Sequence, residues 1–272
     1  TVVIGFTNGI AVVIFLAQIK DFFGLQIDNL PAEFFARIRT LAANAHTVDL
    51  PTLALASACF IFLLSYNRLA ERFALLRRAP GPLAVLVVGT LVAFVFELPV
   101  ETIGSRFHGI PQELPAIGLP SLAVSDFGKL ISPAITIALL GAIESLLSAR
   151  VADSQIDDRH DPNQELIAQG MANIAAPLFG GFAATGAIAR TTTNVKTGGR
   201  TPIAGIIHAL VLLSIVLVAA PLASYVPLAT LSAIVMVVAV NMGEWHEFME
   251  LRRYSYNYRI ILLATFFVTS SS

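Results

Sequence analysis

The segment Ile188–Lys196 restricts the fold more than any other part of the chain, because it lies among apolar runs and cannot cross a bilayer by itself. As a helix it rises only about 14 Å, against a hydrocarbon core of about 30 Å. Arg190 sits near its start, just after the small-residue run from Gly180 to Ala189. An arginine inside a spanning region costs roughly 2.5 to 3.5 kcal/mol even on lenient insertion scales, so such residues line polar paths. The segment therefore reads as a half-helix. Composition supplies the membrane: 56% of residues are hydrophobic and 13% charged, with a mean hydropathy of +0.77, outside the range of a soluble domain.

Seven apolar stretches have the length and content of spans: Thr1 to Ile19, Leu50 to Tyr66, Pro82 to Phe96, Leu130 to Ala149, Thr201 to Ala220, Val226 to Met242, and one from Ile260. A weaker segment from Asn163 to Pro177 precedes the half-helix. Arg68, Arg72, Arg77 and Arg78 between the second and third spans mark that face as cytoplasmic. Alternating crossings bring Lys196, Arg200, Arg252 and Arg253 to the same face only if Asn163 to Pro177 and the half-helix together make one return trip. The opening residues Thr1 to Ile4 lack a charged leader and read as the interior of a protein rather than a signal peptide.

Asp21 to Asp49, with Phe22, Phe23, Phe34, Phe35, Arg37 and Arg39, suits either an interfacial amphipathic piece on the outer face or an ordinary loop with a short helix. Leu98 to Pro120 carries four prolines and is expected to run extended along the outer surface. The acidic stretch Asp153 to Asp161 lacks the glycine and terminal glutamate of a calcium loop and reads as a solvated turn. Thr201 and Pro202 read as the cap and first position of a helix. Cys59, the single cysteine, rules out an intrachain disulfide and a cysteine-based metal cluster. His246 and Glu247 begin like a zinc-protease motif, but Glu250 stands where the second histidine is required, which removes that reading. No metal, cofactor, enzymatic activity or nucleic-acid partner is expected.

Two polar features remain inside apolar surroundings. Glu144 lies near mid-span, with Ser148 one turn later on the same face. A carboxylate there must be protonated, paired or facing a wet cavity. At the half-helix, Gly186, Ala187 and Ala189 permit close backbone approach, and the helix start presents unbonded N–H groups and a positive dipole end, an anion site in its own right. Arg190 adds a fork that matches a carboxylate. Ile188, Ala189, Arg190 and Thr191 are the candidate substrate-binding residues; Glu144 and Ser148 are the candidates for the coupling ion.

The stretch Ala138 to Ser145, then Asn163 to Gly170, Ile188 to Arg190, Thr197 to Thr201 and the outer loop Glu101 to Pro111 resemble, in this order, the sulphate-permease (SulP) family of anion transporters. Of its branches, the bacterial proton-coupled carriers of dicarboxylates such as fumarate and succinate look most similar. The resemblance implies an all-α membrane protein, part of a fourteen-span transporter of two inverted seven-span repeats with a substrate-carrying core and a gate. On that scheme residues 1–96 are gate spans, 97–129 a proline-rich extracellular connection, 130–220 the second half of the core, and 221–272 gate again. It also implies a homodimer when full-length, and a chain that is a fragment without its first spans and its STAS domain. The function so implied is secondary active transport across the bacterial inner membrane by alternating access, with a proton-coupled dicarboxylate as cargo. Sodium-coupled bicarbonate or sulphate transport and an uncoupled anion channel are the alternatives.

Overall fold

The computed structural model describes residues 1–72, 80–109, 112, 116–119 and 124–271. In chain order the α-helices are α1 (Val2–Phe23), α2 (Phe34–Ala43), α3 (Leu50–Arg72), α4 (Gly81–Val95), α5 (Ile103–Phe107), α6 (Phe127–Ile156), α7 (Pro162–Leu178), α8 (Ile188–Lys196), α9 (Ile203–Ser214), α10 (Ala220–Ala223), α11 (Leu228–Met242), α12 (Trp245–Met249) and α13 (Tyr256–Ser271). A π-helical turn, Ile215–Ala219, joins α9 to α10. The runs Ile4–Phe23, Phe127–Ile156 and Ile203–Ala223 are long and apolar enough to cross a membrane, and Leu50–Tyr66, Gly81–Val95 and Leu228–Met242 are shorter apolar helices. Each expected apolar stretch is thus a helix or most of one, because a backbone in hydrocarbon must satisfy its own hydrogen bonds. Arg77 and Arg78, on which the cytoplasmic assignment leans, lie outside the described residues.

The chain divides into two compact units, one of Thr1–Pro111 and Ala219–Ser272, the other of Gln112–Val218. In the first, α1, α3, α4, α11 and α13 pack together. Leu55, Ala56, Cys59, Val85, Ala93, Ala229 and Ala233 form its buried centre, with small residues where helices approach closely. Gly89 shows how tight this is: a Cβ there would lie 2.6 Å from Thr230 Oγ1 and 3.1 Å from Cys59 Sγ. Asn8, fully buried in α1, exchanges hydrogen bonds with the backbone of Glu244, accepting at Oδ1 (2.6 Å) and donating from Nδ2 (3.4 Å).

One expectation needs correction in this unit. The proline-rich connection is not extended throughout, since Ile103–Phe107 forms α5 under a reciprocal capping box between Thr102 and Ser105. The prolines flank this short turn and leave its N–H groups free to bond. A segment just before it is held as a strand would be: Thr102 bridges Pro227, Ile103 N donates to Val226 O (3.0 Å) and Leu228 N to Glu101 O (2.9 Å). Arg106 then pairs with Asp21 at 2.7 Å and with Glu101. The Asp21–Asp49 connection does hold a helix, α2, seated by Leu41 against Leu25 and Ile27 while Phe35 stays exposed.

The second unit holds α6 to α9. Asp157 in the left-handed conformation ends α6, and Asp161 caps α7 by accepting from the amides of Asn163 and Gln164. The acidic turn is thereby used structurally, with His160 bonded back to Asp153 at 2.7 Å. Thr201 does not cap the next helix through its side chain; Pro202 occupies the cap position and α9 begins at Ile203. The proline's fixed φ suits that place as well as the first helical one.

Candidate functional site: a broken helix between two clefts

Helix α7 ends at Leu178, and the chain turns at Gly180, with φ +70°, a conformation glycine adopts without strain. Residues 181–187 then run without helix until Ala187, extended at φ −114° and ψ 110°, starts α8. The first helical bond is Thr191 N to Ala187 O at 2.9 Å, so the amides of Ile188, Ala189 and Arg190 have no helical acceptor, and no side chain caps the start.

A non-helical crossing among apolar helices needs partners for its own polar groups. Side chains of α7 provide them at Ala184. Asn173 donates from Nδ2 to Ala184 O (2.9 Å) and accepts at Oδ1 from Ala184 N (2.8 Å). Gln169 donates to the same carbonyl. On the other flank Thr185 Oγ1 donates to Gly141 O (2.8 Å), and Gly186 packs so closely on α6 that a Cβ would lie 3.3 Å from Ser145 Cα and Ser148 Cβ. Ser145 itself donates to Glu165 Oε1 at 2.7 Å.

Glu144 lines a cleft of about 650 Å³ with Gly141, Gln169, Asn173, Ala184 and Thr185 among its walls, and is the one ionisable side chain there among the described residues. Its carboxylate makes no hydrogen bond or ion pair with the described residues. Arg190 lines a different cleft, of about 540 Å³, with Thr191, Thr193, Asn194, Ala204, Gly205 and His208. The structure therefore does not bring Glu144 and Arg190 into one cavity. Ser148 is buried and its hydroxyl donates to Thr191 Oγ1 at 2.8 Å, so it moors α8 to α6 and is absent from the walls of the Glu144 cleft. Thr191 accepts that bond and also faces the Arg190 cleft. Ile188 lines neither cleft, and of Ala189 the backbone alone enters the argument.

Sequence reasoning overlooked Ser145, Glu165, Gln169, Asn173 and Thr185. A signal existed: Glu165, Gln169 and Asn173 recur every four residues, which places three polar groups on one face of a helix that is otherwise largely apolar.

A chain of apolar helices interrupted by a non-helical crossing and a half-helix that starts on unbonded amides is the architecture of an all-α membrane transporter. A sequence profile of the sulfate permease family matches residues 1–265, and the chain belongs to that family. The putative sulfate transporter YvdB of Bacillus subtilis (strain 168) is 42% identical over 270 residues, covering 98% of this chain and 50% of the relative. The bicarbonate transporter BicA of Picosynechococcus sp. (strain ATCC 27264 / PCC 7002 / PR-6) is 34% identical over 255 residues, 90% of this chain and 42% of its own length. Among solved structures, the transmembrane domain of a cyanobacterial BicA superposes with a TM-score of 0.86 at 30% identity, covering 99% of this chain and 66% of that one. SLC26A9, at 22% identity and TM-score 0.84, shares the fold. The chain spans about half the length of the curated relatives it matches. These relatives are named as transporters, and members of the family are not enzymes.

Proposed function

We propose that the protein to which this chain belongs is a secondary transporter of small anions in the bacterial plasma membrane, working by alternating access. The observation that carries the reading is the start of α8: three amides without helical acceptors, at the positive end of a helix dipole, follow a backbone crossing held in place by side chains. The unit Gln112–Val218 serves as the substrate-carrying part and the unit of Thr1–Pro111 and Ala219–Ser272 as the gate. Ile188, Ala189 and Arg190 offer their amides to the anion. Arg190 adds positive charge and a guanidinium fork that matches an oxyanion, and Thr191 holds the helix to Ser148.

An inorganic oxyanion, sulfate or bicarbonate, is the substrate class best supported, because the relatives carry those names. The dicarboxylate specificity suggested by the sequence has no such support. Glu144 carries the coupling ion: its carboxylate lines a cleft with no other ionisable wall among the described residues, which suits a proton or a sodium ion. An uncoupled channel would have no use for that group. In a full-length protein the unit functions as a homodimer.

The test is uptake of labelled sulfate, bicarbonate and succinate into proteoliposomes of the full-length protein, under a pH gradient, a sodium gradient or neither. Saturable uptake of sulfate or bicarbonate, driven by one of the gradients and made gradient-independent by Glu144→Gln, is expected. Uptake of none of these anions defeats the reading. Unchanged gradient dependence in the glutamine variant removes Glu144 as the coupling group.

A further inference from the structure

The geometry points to Asn173, supported by Gln169, as a positioning residue for the anion site. This inference rests on the reading of α8 as an anion-binding element.

Asn173 meets both backbone groups of Ala184, donating to its carbonyl at 2.9 Å and accepting from its amide at 2.8 Å. That is the pair of bonds one residue of a neighbouring antiparallel strand would exchange with it. The crossing 181–187 has no strand beside it, so a single carboxamide on α7 takes the place of one. Gln169, one turn earlier, donates to the same carbonyl, and Asn173 Nδ2 also reaches the Gln169 carbonyl at 3.1 Å. The clasp is therefore fixed at its base, and the crossing cannot slip without losing both bonds at once.

What it fixes is the register of the next element. Ala184 lies four residues before Ile188, and between them Thr185 is tied to Gly141 and Gly186 is pressed on α6. A crossing bonded to α7 at Ala184 and to α6 at Thr185 has one available path, and the unbonded amides of 188–190 lie at its end. Among the described residues Asn173 makes no hydrogen bond to α8, and it acts through the crossing. The choice of residue is specific. Aspartate retains the acceptor for Ala184 N but sets a carboxylate against Ala184 O, glutamine is a methylene too long, and alanine leaves both backbone groups of Ala184 to find water or nothing.

In the full-length protein, Asn173→Ala, Asn173→Asp and Gln169→Ala are compared with wild type by equilibrium binding of labelled sulfate and bicarbonate and by hydrogen exchange of the 182–188 amides. Asn173→Ala is expected to speed exchange across the crossing and to weaken every bound anion alike by at least about tenfold, roughly 1.4 kcal/mol. Asn173→Asp weakens binding as much or more, and Gln169→Ala, which keeps the two-bond clasp, weakens it less. In Asn173→Ala and Gln169→Ala the dependence of uptake on the driving gradient stays as in wild type, since Glu144 remains the one ionisable wall of its cleft among the described residues, whereas Asn173→Asp adds a carboxylate to that wall and is read by binding and exchange alone. Faster exchange with affinity within about twofold of wild type reduces the clasp to a structural role and overturns the inference. If Asn173→Ala does not fold, the order Asn173→Asp weaker than Gln169→Ala decides, and equal affinities overturn it. Wild type that binds no anion defeats the functional reading instead, while the exchange data still report whether the clasp holds the crossing.

Discussion

Replacing Gly186 with alanine probes how little freedom the crossing has. The backbone there is not in the left-handed region, so an alanine carries no conformational strain. Its methyl, however, would lie 3.3 Å from Ser145 Cα, 3.3 Å from Ser148 Cβ and 3.4 Å from Ser145 Oγ. The two carbon contacts are shorter than the ordinary range of about 3.5 to 4.0 Å, so either α6 or the crossing yields by a few tenths of an ångström. Helix α6 is long and its backbone atom cannot rotate away. The crossing moves, and Ala187 and the amides beyond it move with it. Overpacking of this kind costs about 1 to 3 kcal/mol, and where that cost falls on the binding geometry it equals roughly a 5- to 150-fold loss of anion affinity. Calorimetric or radioligand titration with sulfate and bicarbonate on the full-length protein measures it. Gly128→Ala, on the same helix α6 with nothing within 4 Å of the added carbon, is the control and should bind as wild type does. If Gly186→Ala matches that control, the crossing has slack and the account of how α8 is aimed is wrong.

Arg190→Ala should weaken anion binding by more than about tenfold while expression and fold persist, with Arg190→Lys recovering part of the loss in the same titration, because a point charge supplies the field but not the fork. Wild-type affinity in the alanine variant would leave Arg190 as a snorkelling anchor. In the other unit, Gly89→Ala drives a methyl to within 2.6 Å of Thr230 Oγ1, and a loss of about 1 to 3 kcal/mol in thermal or denaturant stability is expected, with anion affinity in the surviving folded protein unchanged. Cysteines introduced at Arg77 and at exposed Phe107 should label from opposite sides of the membrane, the buried Cys59 staying silent; labelling from one side would overturn the assignment of faces.

The spans were legible because their determinant is local. An apolar run of sufficient length forms a helix in a bilayer whatever surrounds it, and α1, α4, α6 and α11 begin within three residues of the stretches read from hydropathy. The break was legible for the same reason, since Ile188–Lys196 is too short and too polar to cross, and it is indeed a nine-residue helix. Glu144 could be singled out because an ionisable residue in such a run is conspicuous. Helix α5 was obscured by the prolines around it, although the Thr102 and Ser105 pair that caps it was present in the sequence.

Tertiary structure alone decided which polar groups meet. Glu144 and Arg190 both look like parts of one site in the sequence, yet they line separate clefts, because the face that α8 turns toward α6 is set by the Ser148 to Thr191 bond between residues 43 apart in the chain. Ser148 was grouped with Glu144 by helical spacing, but its hydroxyl is taken up by that mooring. The clasp of Asn173 on Ala184 could not be read either. The polar stripe on α7 announces that something is bonded there, but a carboxamide fits any backbone group at the right distance, and that distance exists only once the chain has turned at Gly180 and come back alongside. Hydropathy measures each residue against the bilayer, whereas a hydrogen bond depends on two residues and the path between them.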